Sequence, residues 1–117
     1  MERLLLQQRS KKWRIKMEVK EIKEEEWESI IQQTGKVLVD CYAVWCGPCK
    51  MISPMIDELA KKTDTCKFYK LNVDEAEEIA MNYGINAIPT LLLFEDGELK
   101  KTSVGLISPD ELEELIK

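Results

Sequence analysis

The stretch VLVDCYAVWCGPC, residues 37–49, decides the fold class of this chain. Its first seven residues form a near-continuous apolar run, which is typical of a β-strand covered on both faces of a sheet. Two cysteines close the stretch, and a helical pattern runs on from about Pro48 to Lys62. A doubly covered strand that leads directly into a helix begins a βαβ unit, so a parallel portion of sheet is expected.

The rest of the chain continues this alternation. Further strands are predicted at Glu18–Ile22, Cys66–Val73, Thr90–Phe94 and Leu99–Val104, and further helices at Glu24–Gln33, Ala76–Tyr83 and from Ser108 onward. The last two strands are joined by Glu95-Asp96-Gly97-Glu98, which is a hairpin signal. The final helix opens on a capping box, Ser108 with Glu111, and has Pro109 at its first position. The pattern predicts one α/β domain with an antiparallel hairpin added to its parallel strands.

The composition fits a single domain and excludes several classes of function. The chain has 117 residues, of which 44% are apolar, and this is enough for a core without disulfide staples. No apolar run approaches the roughly 20 residues of a membrane helix, so no membrane association is expected. Histidine is absent, which excludes a Cys–His dyad, a histidine-ligated zinc site and an imidazole pH switch.

Charge is divided unevenly along the chain. Residues 1–16 carry six basic side chains against one acidic side chain, whereas residues 17–117 carry 11 basic and 21 acidic ones. Since phosphate contacts need concentrated positive charge, this acidic body argues against a nucleic-acid partner. We expect residues 1–16 to be a flexible basic arm ahead of a domain at residues 17–117. The arm is either native to the protein or introduced by cloning. A short organellar targeting segment is the alternative for the arm.

The two cysteines of Cys46-Gly47-Pro48-Cys49 are the candidate reactive groups. Cys49 falls on the apolar stripe of the predicted helix, whereas Cys46 falls at its cap, where free N–H groups and the helix dipole favour a thiolate. We therefore expect Cys46 to be exposed and activated, and Cys49 to be covered. Pro48 suits the first helical position, and Gly47 allows a substrate sulfur to approach closely. These properties predict thiol–disulfide exchange, in which Cys46 attacks a substrate disulfide and Cys49 resolves the mixed disulfide.

The same spacing also occurs in half of a zinc site, and the other two cysteines bear on that alternative. Zinc usually takes four protein ligands, or three and a water molecule. Cys41 and Cys66 are expected on separate strands, and no histidine exists, so no metal is predicted. Both cysteines are expected to be inert core residues, with a regulatory or dimer-forming disulfide as the alternative.

Asp40 is a lone carboxylate inside the apolar run. Burial in a doubly covered strand should raise its pKa, because low-dielectric surroundings disfavour the charged form. A raised pKa would make Asp40 a proton acceptor for Cys49, directly or through water. The alternative is an aspartate that ends a strand in solvent.

Several motifs surround the cysteine pair in a fixed order. Trp45 and Lys50 flank it, Val39-Asp40 precedes it, and Ile88-Pro89-Thr90 and Val104-Gly105 follow it. Over residues 17–117 the chain thereby closely resembles the thioredoxin family. The resemblance implies a thioredoxin fold, a five-stranded mixed sheet flanked by four helices. It also implies protein-disulfide reductase activity with no bound cofactor, regenerated by a thioredoxin reductase that is NADPH- or ferredoxin-linked.

The resemblance implies roles for individual residues as well. Asp40 corresponds to the family's buried acid, and Lys70 to a lysine near that acid which could modulate its pKa. Pro89 corresponds to a cis-proline that faces the redox-active disulfide of Cys46 and Cys49. A flat apolar substrate-docking surface is implied at Trp45, Gly47, Pro48, Ile88, Pro89 and Gly105. For Trp45 and Ile88 the alternative is ordinary core packing.

The family resemblance further implies a cytoplasmic monomer that works with a thioredoxin reductase and with diverse disulfide-containing client proteins. The lack of a clear export signal agrees with a reducing compartment. An oxidase or isomerase is the alternative within redox chemistry, but oxidising relatives commonly carry a histidine where this chain has Gly47-Pro48. A scaffold that binds its partner in either redox state is the alternative from another class. The chain departs from the family at Cys41, where a large aromatic is usual, and at Ala87, where glycine is common.

Overall fold

The computed structural model describes residues 18–117, so the predicted arm at residues 1–16 lies outside the described part of the chain. The described elements are, in order, β1 (Val19–Ile22), α1 (Trp27–Ile31), β2 (Lys36–Tyr42), α2 (Gly47–Lys62), β3 (Cys66–Asn72), α3 (Glu77–Asn82), β4 (Thr90–Glu95), β5 (Glu98–Val104) and α4 (Pro109–Leu115). Within these residues, no helix combines the length and the apolar character that crossing a bilayer requires.

The strands form one mixed sheet in the order β1-β3-β2-β4-β5. β3 pairs in parallel with both β1 and β2, while β4 is antiparallel to β2 and β5 is antiparallel to β4. β2 lies at the centre with neighbours on both sides, and five of its seven residues are buried. Its central position explains the apolar run, and the predicted mixed α/β sheet is confirmed.

Helices cover both faces of the sheet with apolar side chains. On one face, the odd-numbered residues of β2 pack against α1 and α3. On the other face, Leu38 packs against α2 and α4. Because side chains alternate along a strand, Asp40 lies on the α2 face of the sheet and Cys41 lies on the opposite face. The helix that carries the cysteine pair therefore lies over the strand that carries the aspartate.

Two helices begin later than predicted. A 3₁₀ turn at Glu24–Glu26 precedes α1, and another at Val73–Glu75 precedes α3. Before the second turn, Asn72 Oδ1 accepts a 3.0 Å hydrogen bond from Asp74 N. Asparagine is a favoured capping residue because its side chain satisfies a free N–H, so β3 ends at Asn72 rather than Val73.

Two local sequence signals are confirmed near the C-terminal end. Asp96 and Gly97 have φ values of 52° and 86°, as a two-residue hairpin loop of this kind requires. β4 and β5 therefore each extend one residue further into the turn than predicted. At α4, Ser108 Oγ accepts a 3.2 Å bond from Glu111 N, and Glu111 Oε1 accepts a 3.1 Å bond from Ser108 N. This reciprocal pair is the predicted capping box.

Candidate active site

The cysteine pair lies at the N-terminal end of α2. Cys46 is the capping residue, with an extended backbone (φ −89°, ψ 115°), and its Sγ accepts a 3.2 Å hydrogen bond from Cys49 N. The first turn of the helix leaves the two Cα atoms 5.3 Å apart, and the sulfur atoms are joined in a disulfide. This separation falls within the usual range for disulfides. The structure therefore shows the oxidised form of the pair.

The expected contrast in exposure between the two cysteines is wrong for this oxidised form. Cys46 is 4% exposed and Cys49 is 3% exposed. Cys46 is covered because its Sγ lies 3.7 Å from the Ile88 carbonyl oxygen, with Ala43 in the same buried cluster. Access to the Cys46 sulfur in this form depends on the loop that contains Ile88.

That loop, which precedes β4, is held against the disulfide. The Ile88–Pro89 peptide bond is cis, and Pro89 is buried while Ile88 is half-buried. Pro89 O accepts a 2.8 Å hydrogen bond from Gly105 N, and Ala87 O accepts a 2.6 Å bond from Thr90 Oγ1. Gly105 has a φ of 92°, in the region that favours glycine. The structure thus brings together segments next to β2, β4 and β5.

Trp45 lies on the surface beside the disulfide. Its side chain is 68% exposed, yet its Nε1 donates a 2.8 Å hydrogen bond to Asp74 Oδ2. Ordinary core packing therefore does not explain this tryptophan. Sequence reasoning missed Asp74, because a single aspartate after a strand carries no spacing signal. The hydrogen bond fixes the orientation of an exposed aromatic ring.

Asp40 is buried at the centre of the sheet. It is 4% exposed, and its Oδ1 has no hydrogen-bond partner among residues 18–117. Burial raises its pKa to about 7, opposed by the charge of Lys70 and assisted by that of Asp57. The alternative of an aspartate ending a strand in solvent is therefore wrong. A carboxyl group with this pKa changes its charge near neutral pH.

Asp40 and Cys49 share a cavity. Its volume is about 230 Å³, which leaves room for several water molecules. Its lining consists of Asp40, Tyr42, Ala43, Val44, Cys49, Lys50, Ser53 and Lys70. A proton could pass between the Cys49 thiol and the Asp40 carboxylate through water in this space. A larger cavity of about 730 Å³ lies between α2 and α4 and includes none of these residues.

The two remaining cysteines lie in the core on opposite sides of the sheet. Cys41 is 0% exposed and packs on the face covered by α1 and α3, whereas Cys66 is 2% exposed and packs on the α2 face. Burial raises the pKa of each thiol to about 12. Their placement excludes a disulfide between them in the folded chain. Across residues 18–117, no three possible metal ligands among histidine, cysteine, aspartate and glutamate cluster together.

Curated thioredoxins from bacteria and plants are similar in sequence to this chain. The thioredoxin of Bacillus subtilis is 49% identical over 83 residues, which are 70% of this chain and 80% of that protein. The chloroplastic M-type thioredoxin of Pisum sativum is 45% identical over 102 residues, which are 86% of this chain and 59% of that protein. The chain spans between 50% and 59% of the length of its chloroplastic relatives.

A solved thioredoxin from Malassezia sympodialis has the same architecture. It superposes with a TM-score of 0.80 at 35% sequence identity, over 86% of this chain and 90% of that one. The thioredoxin family model matches residues 18–117, which is the whole of the described structure. With its cysteine pair, its sheet order and these relatives, the chain belongs to the thioredoxin family.

Proposed function

We propose that this chain is a protein-disulfide reductase, a dithiol that carries two electrons to disulfide-containing client proteins. The observation that carries the proposal is the Cys46–Cys49 disulfide at the N-terminus of α2. Members of this family are protein-disulfide oxidoreductases. Gly47-Pro48 between the cysteines supports the reducing direction within that class.

Cys46 makes the first attack. The N–H of Cys49 and the positive end of the α2 dipole stabilise its thiolate. The thiolate attacks one sulfur of a client disulfide, so a Cys46–client bond forms, the client S–S bond breaks and one client thiolate leaves.

Cys49 completes the reaction. It loses its proton and attacks Cys46 Sγ, which closes the internal disulfide, breaks the mixed disulfide and releases the second client thiolate. In all, two electrons pass from the dithiol to the client, the Cys49 proton passes to a base of the protein, and the two client thiolates take up protons from solvent. The oxidised form of the pair is the product.

Asp40 is the proposed proton acceptor for Cys49. The two groups line one cavity, and the Asp40 carboxylate has a pKa of about 7. A base works best when its pKa lies near the working pH, because both of its protonation states are then populated. The positive charge of Lys70 favours the carboxylate form, which supports the predicted modulating role of this lysine.

The proposed docking surface surrounds the cysteine pair. Trp45, Gly47 and Pro48 are exposed beside it. A Cβ added at Gly47 would meet no heavy atom of residues 18–117 within 4 Å, so internal packing does not require glycine there. The missing side chain instead leaves space for a client sulfur. Across the disulfide, the hydrogen bond from Gly105 N to Pro89 O holds the segment, so that the backbone of Ile88 can face an extended client chain.

The proposed partners follow from this chemistry. A thioredoxin reductase, NADPH- or ferredoxin-linked, returns the disulfide to the dithiol, and no cofactor is bound by the chain itself. The chain acts as a monomer in the cytoplasm, with an organelle as the alternative because several relatives are chloroplastic. Fractionation of cells that express the full chain decides between the two locations.

Insulin reduction coupled to a thioredoxin reductase tests the proposal. Wild-type protein should precipitate the insulin B chain, and Cys46→Ser should be inactive. Cys49→Ser should accumulate mixed disulfides that are visible on a non-reducing gel. Cys66→Ala is the matched control, since it removes a buried thiol outside the site and should leave the rate unchanged. Equal trapping by both serine variants would contradict the order of attack, and a Cys46→Ser/Cys49→Ser double variant that retains full biological function would indicate a scaffold.

A further inference from the structure

Three charged side chains form a row that runs from the edge strand β1 across β3 to the central strand β2. In the strand register, Glu21 of β1 pairs with Lys70 of β3, and Lys70 in turn pairs with Asp40 of β2. Paired residues on neighbouring strands point to the same face, with Cβ atoms roughly 5 Å apart. Lys70 is therefore placed between two carboxylates, one at the surface and one buried.

Tyr42 crosses this row. It follows Asp40 by two residues and so lies on the same face of β2. Its hydroxyl donates a hydrogen bond to Glu21 Oε2 on β1, two strands away. The side chain consequently spans β3, and Lys70 Nζ lies 5.8 Å from the centre of its ring. Burial, and then the bond to Glu21, raise the pKa of Tyr42, so the phenol remains a donor at neutral pH.

This arrangement limits where the Lys70 ammonium can go. A lysine side chain at the surface of a strand normally keeps much of its rotational freedom. Here the tyrosine ring lies over the ammonium group at a distance that permits a cation–π contact. Lys70 and Tyr42 also both line the cavity that reaches Asp40.

We propose that the Tyr42–Glu21 hydrogen bond is a clamp that holds the Lys70 ammonium beside the Asp40 carboxylate. Tyr42 and Glu21 are thus positioning residues that act through Lys70 and touch no reacting sulfur. The consequence for resolution by Cys49 rests on the proposed function, whereas the effect on the Asp40 carboxyl group does not. With the clamp open, Lys70 moves toward solvent and the carboxylate loses its neighbouring positive charge.

The other groups that face Asp40 stay constant in the test, and Cys49 among them is held in the disulfide of the oxidised protein. Facing groups come from β3 (Lys70) and from α2 (Cys49, Lys50 and Asp57), while the β4 neighbour is the uncharged Leu91. A change at Tyr42 alters none of these groups covalently. Any change in the titration of Asp40 then reports on the position of Lys70.

Carboxyl ¹³C NMR titration of the oxidised protein is the direct test. Tyr42→Phe keeps the ring and removes the donor, so the Asp40 midpoint should rise by about 0.5–1 pH unit, a part of what a nearby opposite charge contributes. Tyr69→Phe is the matched control, because its hydroxyl accepts a 2.9 Å bond from Gln33 Nε2 on the other face of β3. That variant should leave the midpoint in place. An unchanged midpoint in Tyr42→Phe would overturn the clamp.

A double-variant cycle shows whether the effect passes through Lys70. Lys70→Met should raise the Asp40 midpoint further, and adding Tyr42→Phe to it should have no additional effect. An equal effect of Tyr42→Phe with and without Lys70 would also overturn the proposal. In a functional arm, the pH profile for resolution of a mixed disulfide should move with the Asp40 midpoint. Failure of insulin reduction in the wild type would refute the proposed function and leave the NMR result standing.

Discussion

Trp45 and Asp74 are joined by a 2.8 Å hydrogen bond from the indole Nε1 to a carboxylate oxygen, although the tryptophan side chain is 68% exposed. An exposed indole without such a bond would sample several rotamers. The bond holds one edge of the proposed docking surface in a single orientation before a client arrives. Pre-organisation of this kind saves the ordering cost of an interface side chain, about 0.5–1.5 kcal/mol.

Replacing Asp74 by alanine should therefore weaken client recognition more than stability. We expect kcat/KM for insulin reduction to fall about 3- to 10-fold, since each factor of ten corresponds to about 1.4 kcal/mol. The free energy of unfolding should change by no more than about 0.5 kcal/mol, because the residue is exposed. Glu78→Ala, an exposed carboxylate change on α3, is the control. An equal fall of kcat/KM in both variants would mean that loss of any surface carboxylate, and not the bond to Trp45, causes the effect.

Asp40→Asn should slow the resolution step. The amide cannot accept a proton from Cys49, and loss of a positioned base typically costs on the order of 100-fold or more. Stopped-flow measurement of mixed-disulfide decay against pH provides the readout. In the wild type, decay should slow as the pH falls below about 7, where Asp40 becomes protonated. A variant with the wild-type profile would remove Asp40 from the mechanism.

The same carboxyl group should make stability depend on pH. Its pKa is about 7 in the folded protein and about 4 in an unfolded chain, so the folded state binds the proton more tightly. Its contribution to stability is therefore fully present below about pH 4 and is lost as the pH rises through 7, by roughly 4 kcal/mol at most. Urea unfolding of the oxidised protein at several pH values measures this loss.

Asp40→Asn supplies the comparison for that measurement. The free energy of unfolding of the variant should not fall between about pH 4 and 7. The buried amide lowers that free energy by about 1–3 kcal/mol at every pH, so the comparison rests on the slope of each curve. Parallel stability curves for the two proteins would show that Asp40 titrates normally in the fold.

Cys41 and Cys66 should be unreactive in the reduced native protein. Burial raises the pKa of both thiols to about 12, so the thiolate that reacts with alkylating agents is scarce at neutral pH. Brief treatment with iodoacetamide followed by mass spectrometry should label Cys46 first and these two only after unfolding. Rapid labelling of Cys66 in the native state would favour the regulatory role left open by the sequence.

The order of strands and helices could be predicted because it depends on short-range pattern. The apolar run at residues 37–43 indicates a central strand, and β2 has neighbours on both sides. The capping position of Cys46 follows from the proline two residues later, and the hairpin follows from Asp96-Gly97. Each signal lies within a few residues of the structure that it predicts.

Contacts between distant parts of the chain could not be predicted in this way. Trp45 and Asp74 are 29 residues apart, and Tyr42 and Glu21 are 21 residues apart. None of these side chains is unusual in its own segment. The burial of Cys46 was missed for the same reason, because helical periodicity describes its own helix, whereas the covering carbonyl of Ile88 is 42 residues away.

The placement of Cys41 and Cys66 on opposite faces of the sheet limits how many disulfides one folded molecule can form. All four cysteines of the sequence lie in the described residues, and only the pair at the start of α2 is joined. Thiol–disulfide exchange can accordingly form one disulfide within a folded copy, so each copy delivers a single electron pair before it must be reduced again. The rate of client reduction then depends on how often the Cys46–Cys49 disulfide is reduced again, because the protein has no second dithiol pair within the fold of residues 18–117.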